Sequence, residues 1–251
     1  MLGQLWKKES FLPRDEMTQL LTDIRKALES RVDEAYKMGA ERYFKEPINI
    51  LGVRLPEIRQ ISREFYSQVK NLGKTEFFGI CEELLDTGIG EETTIAFDWA
   101  WRRKSQYELE DFSRFESWLE RYVSNWGHCD DISCHSVGFM LHKWPKLAEN
   151  MPKWGKSSNR WLRRSSAVSL IYPVRREVLV DKAFEIADIL IEDEDDLVRK
   201  GYGWLLKEVS NAHPERVYDY VTSNVERMPR VAFRYAIEKL PDEMREKAMG
   251  K

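Results

Sequence analysis

The sequence predicts an all-α fold, an α-solenoid of HEAT-like helical repeats with a concave groove. Three observations carry that reading. Helical periodicity dominates the 251 residues, and no convincing strand pair is present. Breakers fall at about one helix length apart: Gly73, Gly88-Ile-Gly90, Pro145, Pro152, Pro173, Pro214, Pro229 and Pro241. The C-terminal half also repeats itself. Arg164-Ser-Ser-Ala-Val-Ser-Leu-Ile, Arg199-Lys-Gly-Tyr-Gly-Trp-Leu-Leu and Arg230-Val-Ala-Phe-Arg-Tyr-Ala-Ile align at spacings of 35 and 31. Each Arg is followed at +3 by an apolar or aromatic residue and at +6 and +7 by apolar ones. Helix pairs recurring at this period stack into solenoids.

The elements follow in order. Asp15 to Lys37 reads as one amphipathic helix with Leu20, Ile24, Ala27, Leu28 and Val32 on one stripe. Pro47 to Pro56 is a loop around Gly52, and Pro56 suits the first turn of a helix running to about Lys70. Further helices are expected over 74–86, 91–104, 108–124, 129–143, 157–171, 177–190, 196–210, 214–226 and 230–238, with a short last one to about 248. The chain is read as a single domain, 1–251, with residues 1–14 a loosely attached extension.

Composition narrows the setting. No apolar run approaches the roughly 20 residues that span a bilayer, and the N-terminal Lys pair has no apolar segment after it. Three cysteines (Cys81, Cys129, Cys134) make no disulfide framework, which fits a reduced, cytoplasmic location. The net charge of −3 argues mildly against nucleic acid, but the distribution of charge decides such binding. From Met151 to Arg176 there are seven basic residues and no acidic one, with Trp154 and Trp161 among them. Acid gathers instead at Glu192-Asp193-Glu194-Asp195-Asp196, where it suits a helix N-terminus and is expected to lie off any binding face.

The most informative segment is Val123-Ser-Asn-Trp-Gly-His-Cys-Asp-Asp131. Trp126 and Asp130 stand four apart and share a face if helical; the plain alternative is a core Trp and a capping Asp. Beside a cationic stretch, a carboxylate suits a reaction that creates positive charge on DNA. Breaking an N-glycosidic bond does so, because the deoxyribose becomes oxocarbenium-like. A carboxylate ~4 Å away, at an effective dielectric of about 20, stabilises that cation by about 4 kcal/mol, roughly a thousandfold in rate. Arg163 and Arg164 can grip phosphate. Helix spacing cannot aim both the same way, so one is structural, and the spacing does not say which. Gly201 and Gly203, before Trp204, permit close packing or approach to a ligand. His128-Cys129 and Cys134-His135 lack zinc spacing, and no phosphate loop or nucleophile elbow occurs, so neither metal nor cofactor is expected.

At these residues, over about 30–240, the chain resembles the AlkD-type DNA alkylation repair glycosylases, a family of HEAT-like repeats. The pieces are Tyr43 ahead of Ile50-Leu-Gly-Val-Arg-Leu-Pro56, then Asn125-Trp-Gly-His-Cys-Asp130, Trp161-Leu-Arg-Arg164 and Arg199-Lys-Gly-Tyr-Gly-Trp204. The resemblance implies that Asp130 is the catalytic Asp, that Trp126 and Trp204 are aromatic cleft residues, that Arg164 contacts phosphate, and that Tyr43 lies near the lesion. Lys156, Arg160, Arg163, Arg199 and Lys200 join Tyr43 as the expected DNA-binding set. The family excises 3-methyladenine and 7-methylguanine without a metal and is thought not to swing the base into a pocket. The chain departs from its best-known form at Asn125 and Gly127, where that form has a second Trp and an Asp, which leaves the lesion range open.

The residues themselves agree with that chemistry. No second carboxylate is placed as a general acid, and a neutral base would need protonation to leave. A methylated purine already carries its charge and needs only aromatic faces for the cation, Asp130 for the sugar cation or for aligning water, and Arg164 for the phosphate. The expected function is therefore a monomeric, monofunctional glycosylase acting on double-stranded DNA that contains alkylated bases, without a membrane. The alternatives are a non-catalytic HEAT-like module binding bent or branched DNA and a protein-interaction scaffold.

Overall fold

A computed structural model describes residues 12–44 and 46–250; of the N-terminal extension, residues 1–11 lie outside the described part. The described chain is all-helical, with no strand. It divides into two compact units, the first ending at Arg103 and the second beginning at Lys104.

The first unit contains α1 (Arg14–Glu29), α2 (Glu34–Tyr43), α3 (Leu55–Val69), α4 (Lys74–Asp86) and α5 (Gly90–Arg102). The single helix expected over 15–37 is thus two. Asp33 breaks it: its backbone N–H donates to the Gly52 carbonyl at 2.9 Å, and its side chain caps α2 by accepting from the Tyr36 N–H at 2.9 Å. A cap plus a long-range bond outweighs the apolar stripe that continues through Val32. The 47–54 loop is held by Glu91 at the start of α5. Its carboxylate accepts from the backbone N–H groups of Leu51, Gly52 and Val53 at 3.0, 2.8 and 3.0 Å. Gly52 is required there, with φ at +104° and no room for a Cβ, which would meet Lys37 Cβ at 2.7 Å. α5 packs between α3 and α4, and buried Trp99 donates its indole N–H to the Ser62 carbonyl at 3.0 Å.

The second unit contains α6 (Asp111–Arg121), α7 (Trp126–Ile132), α8 (Gly138–Lys143), α9 (Met151–Gly155), α10 (Arg160–Val168), α11 (Ile171–Val174), α12 (Val180–Leu190), α13 (Asp196–Val209), α14 (Pro214–Ser223), α15 (Arg230–Ile237) and α16 (Asp242–Met249). Here α7, α10, α13 and α15 pack in succession, while α9, α12 and α14 back them, the arrangement of an α-solenoid. Asn125, Asn159 and Asp195 cap α7, α10 and α13, each side chain accepting a first-turn N–H, so the caps recur 34 and 36 residues apart. They mark the repeat better than the Arg residues, which sit five, four and one positions after their helix's cap.

Three further boundaries differ from expectation. The 129–143 helix begins at Trp126 and contains a π-turn at Ser133–Val137. Pro145 and Pro152, read as breakers, begin a 3-10 turn (Pro145–Asn150) and lie in the first turn of α9. The helix expected from 177 begins at 180, because Glu177 and Leu179 have left-handed φ of 57° and 63°. α13 lies tightly on α15, since a Cβ at Gly203 would stand 2.7 Å from the Ala232 carbonyl oxygen and 2.8 Å from Tyr235 Cβ.

Candidate active site

Asn125 starts the site. In extended conformation, it accepts the His128 N–H at 3.0 Å and so begins α7 at Trp126. Asp130 therefore lies inside a helix rather than capping one, a full turn from Trp126 on the same face. Asp131, its neighbour, turns to His135, accepting from its Nδ1 at 2.8 Å. The half-buried Trp126 ring contrasts with the buried Cys129 thiol, which donates to the Trp161 carbonyl at 3.5 Å. Burial pushes both site thiols up, Cys134 to about 12 with the Asp130 charge adding, so neither is a thiolate near neutral pH.

Asp130 meets Arg164 in a bidentate pair: Nε to Oδ1 and Nη2 to Oδ2, both at 2.8 Å. The third arm, Nη1, donates to the Leu197 carbonyl on α13. One guanidinium thus ties α7, α10 and the first turn of α13 together. Gly201 makes the room, since a Cβ there would stand 3.3 Å from Arg164 Cγ and 3.5 Å from its Nη1. The Arg164 side chain is 7 % exposed and that of Asp130 18 %, so the carboxylate keeps the larger opening to solvent. Burial drives Asp130 above the ordinary carboxylate range, with Arg164 opposing. Burial works to lower Arg164, but its bonds and charge interaction with Asp130 prevail and hold it above the ordinary value.

Leu197, Gly201, Trp204 and Glu208 fall at i, i+4, i+7 and i+11 of α13, on one stripe. That stripe carries the Arg164 contacts, and it brings Trp204 to the side of α13 that faces α10. The ring is half-buried, and its Nε1 donates to Glu208 Oε1 at 3.1 Å.

The expected DNA-binding cations fare differently. Arg163 Nε donates to Asp193 at 2.7 Å, and its Nη1 to the carbonyls of Ser157 and Ser158 at 3.0 and 3.1 Å. Arg160 Nε donates to Asp195 at 2.7 Å, and its guanidinium stands over Trp161 at 5.4 Å. Arg199 bonds the Asp193 carbonyl, and Lys200 pairs with Asp196 at 3.2 Å. The acidic cluster therefore neutralises part of the basic stretch rather than standing apart from it. Lys156 is exposed. Tyr43, at the end of α2 in the first unit, is 71 % exposed and meets Phe44 edge-on at 5.8 Å. Among the described residues, no three His, Cys, Asp or Glu side chains are grouped to hold a metal ion. No helix there is long and apolar enough to cross a membrane.

Sequence reasoning does not single out Asn125, Asp193, Asp195 and Glu208 as site residues, and it reads Gly201 only as a place for close packing or approach to a ligand, not as the one that makes room for Arg164. The capping residues were legible as Asn or Asp before a helix; the partnerships across repeats were not.

Comparison with known proteins decides the family. The DNA alkylation repair enzyme family matches residues 24–240. The chain belongs to that family. A solved structure described as a predicted DNA alkylation repair enzyme from Enterococcus faecalis matches this fold with a TM-score of 0.73 at 16 % identity, covering 84 % of this chain and 98 % of the other. No curated protein matches the chain. As a DNA alkylation repair enzyme, the chain has the helical fold and a role in alkylation repair, with DNA as the partner that this role suggests.

Proposed function

We propose that this DNA alkylation repair enzyme is a monofunctional glycosylase that excises cationic alkylated purines, 3-methyladenine and 7-methylguanine, from duplex DNA. The observation that carries the reading is the bidentate Asp130–Arg164 pair, with Trp126 one turn before the carboxylate and Trp204 on the stripe that takes the third arm of the guanidinium.

The C1′–N bond breaks and its electron pair goes to the purine, cancelling the base's positive charge. The sugar becomes oxocarbenium-like. Asp130, anionic in its pair with Arg164, stabilises that charge or aligns the water that adds to C1′ and gives up a proton to the carboxylate or to solvent. Trp126 and Trp204 offer aromatic faces to the cationic base. Arg164 holds the carboxylate and is first a positioning residue; Lys156 and Tyr43 are the exposed candidates for contact with DNA. The other nearby acids are committed, Asp131 to His135 and Glu208 to Trp204. A neutral base, which must be protonated to leave, therefore finds neither of these two carboxyl groups placed as its general acid.

The test is to incubate the full chain with duplexes carrying 7-methylguanine or uracil. Release of the first and not the second is expected. Uracil release overturns the mechanism, and tight binding with no release of either base favours the non-catalytic module.

A further inference from the structure

Glu208 is an acid that the proposed mechanism does not use, yet it is 6 % exposed in the second half of α13. Its Oε1 accepts from Trp204 Nε1 at 3.1 Å and Lys239 Nζ at 3.5 Å; its Oε2 accepts from Arg175 Nε at 3.0 Å and Asn211 Nδ2 at 3.2 Å. A buried carboxylate needs partners, and cations supply them. The indole is not the only donor available, because Arg175, Lys239 and Asn211 already bond the carboxylate.

Resting on the glycosylase reading above, we infer that Glu208 is a positioning residue that fixes the Trp204 indole and strengthens its attraction for a cationic purine. Three features support this. The i,i+4 spacing places the acceptor one turn from the ring, on the Leu197–Gly201–Trp204 stripe. The bond occupies the N–H edge of the indole, which fixes the ring's rotation and leaves its face for stacking. An N–H donating to an anion also shifts electron density onto the ring, and a cation held over an aromatic face is attracted by that density. Glu208 is such an anion: burial pushes it up, but Arg175 first, then the Trp204 N–H and Lys239, hold it below the usual carboxylate range. The outcome is a preference for positively charged bases, built into the ring by a residue that need not touch DNA.

The experiment is a double-mutant cycle with Glu208→Gln and Trp204→Phe in the full chain. It is read by single-turnover release of 7-methylguanine from duplex DNA and by the 15N–1H resonance of the Trp204 indole. Gln keeps an acceptor oxygen but loses the charge; Phe keeps a ring face but loses the N–H. Each single variant is expected to release base about tenfold more slowly, the scale of a desolvated cation–π contact. The double variant is expected to be no slower than Trp204→Phe, and the indole resonance to move upfield in Glu208→Gln. A Glu208→Gln rate equal to wild type, a loss that adds in full to that of Trp204→Phe, or an unmoved resonance overturns the inference. If Glu208→Gln does not fold, Trp204→Phe alone decides, and a wild-type rate there overturns it. If the wild-type chain releases no 7-methylguanine, the glycosylase reading falls and takes this inference with it; if it does, only the inference is at stake in the variants.

Discussion

Arg164 is the residue on which the site turns, because its three nitrogens serve two other helices at once. Lys in its place keeps a charge but cannot hold a carboxylate bidentately and reach the Leu197 carbonyl as well. Arg164→Lys is therefore expected to lower stability by about 1–3 kcal/mol in urea unfolding and to slow base release. It also makes a pH prediction. Asp130 is already raised by burial, and weakening its partner raises it further. In the proposed mechanism activity needs the carboxylate, so the acid limb of the pH–rate profile is expected above the ordinary Asp value of about 4 and nearer neutrality in Arg164→Lys. The stability contribution has the opposite sign. A folded-state value above the unfolded one means that protonating Asp130 favours folding, a contribution present at low pH and lost as pH rises through the folded value. An acid limb that does not move in the variant contradicts the coupling. At this scale the Trp126–Asp130 relation was legible, because it lies within one helix. The direction of Arg164 was not, because Gly201 and Leu197 on another helix set it.

At the scale of elements, glycine separates packing from propensity. Gly203→Ala pushes α13 and α15 apart, because its Cβ meets backbone at 2.7 Å. A loss of about 1–3 kcal/mol is expected on chemical denaturation. Gly79 in α4 has nothing within 4 Å of its Cβ position, so Gly79→Ala is expected to stabilise by about 0.5–1 kcal/mol. Equal effects of the two substitutions contradict the helix contacts described. Most helices were legible from periodicity and punctuation. The break at Asp33 was not, since it answers to a distant partner, the Gly52 carbonyl, and neither was the need for glycine at 138, where a Cβ would stand 2.6 Å from Tyr172 Cβ.

For the molecule as a whole, charge is paired across repeats. Arg160 with Asp195 and Arg163 with Asp193 join residues 35 and 30 apart, close to the period of the caps. A linear reading sees a basic stretch and an acidic cluster; stacking folds one onto the other. Binding to duplex DNA is accordingly expected to depend on salt through the exposed cations. Lys156→Ala lowers the log K against log salt slope by about one, while Arg163→Ala leaves it unchanged and costs stability. A drop of one unit in the Arg163 variant would return that residue to the DNA-binding face. The central claim is that the Asp130 carboxylate does the chemistry in this DNA alkylation repair enzyme. Single-turnover release of 7-methylguanine from duplex DNA by wild type and Asp130→Asn tests it most directly. A loss of roughly a thousandfold with DNA binding retained is the expected result; release by the Asn variant within a few-fold of wild type contradicts it.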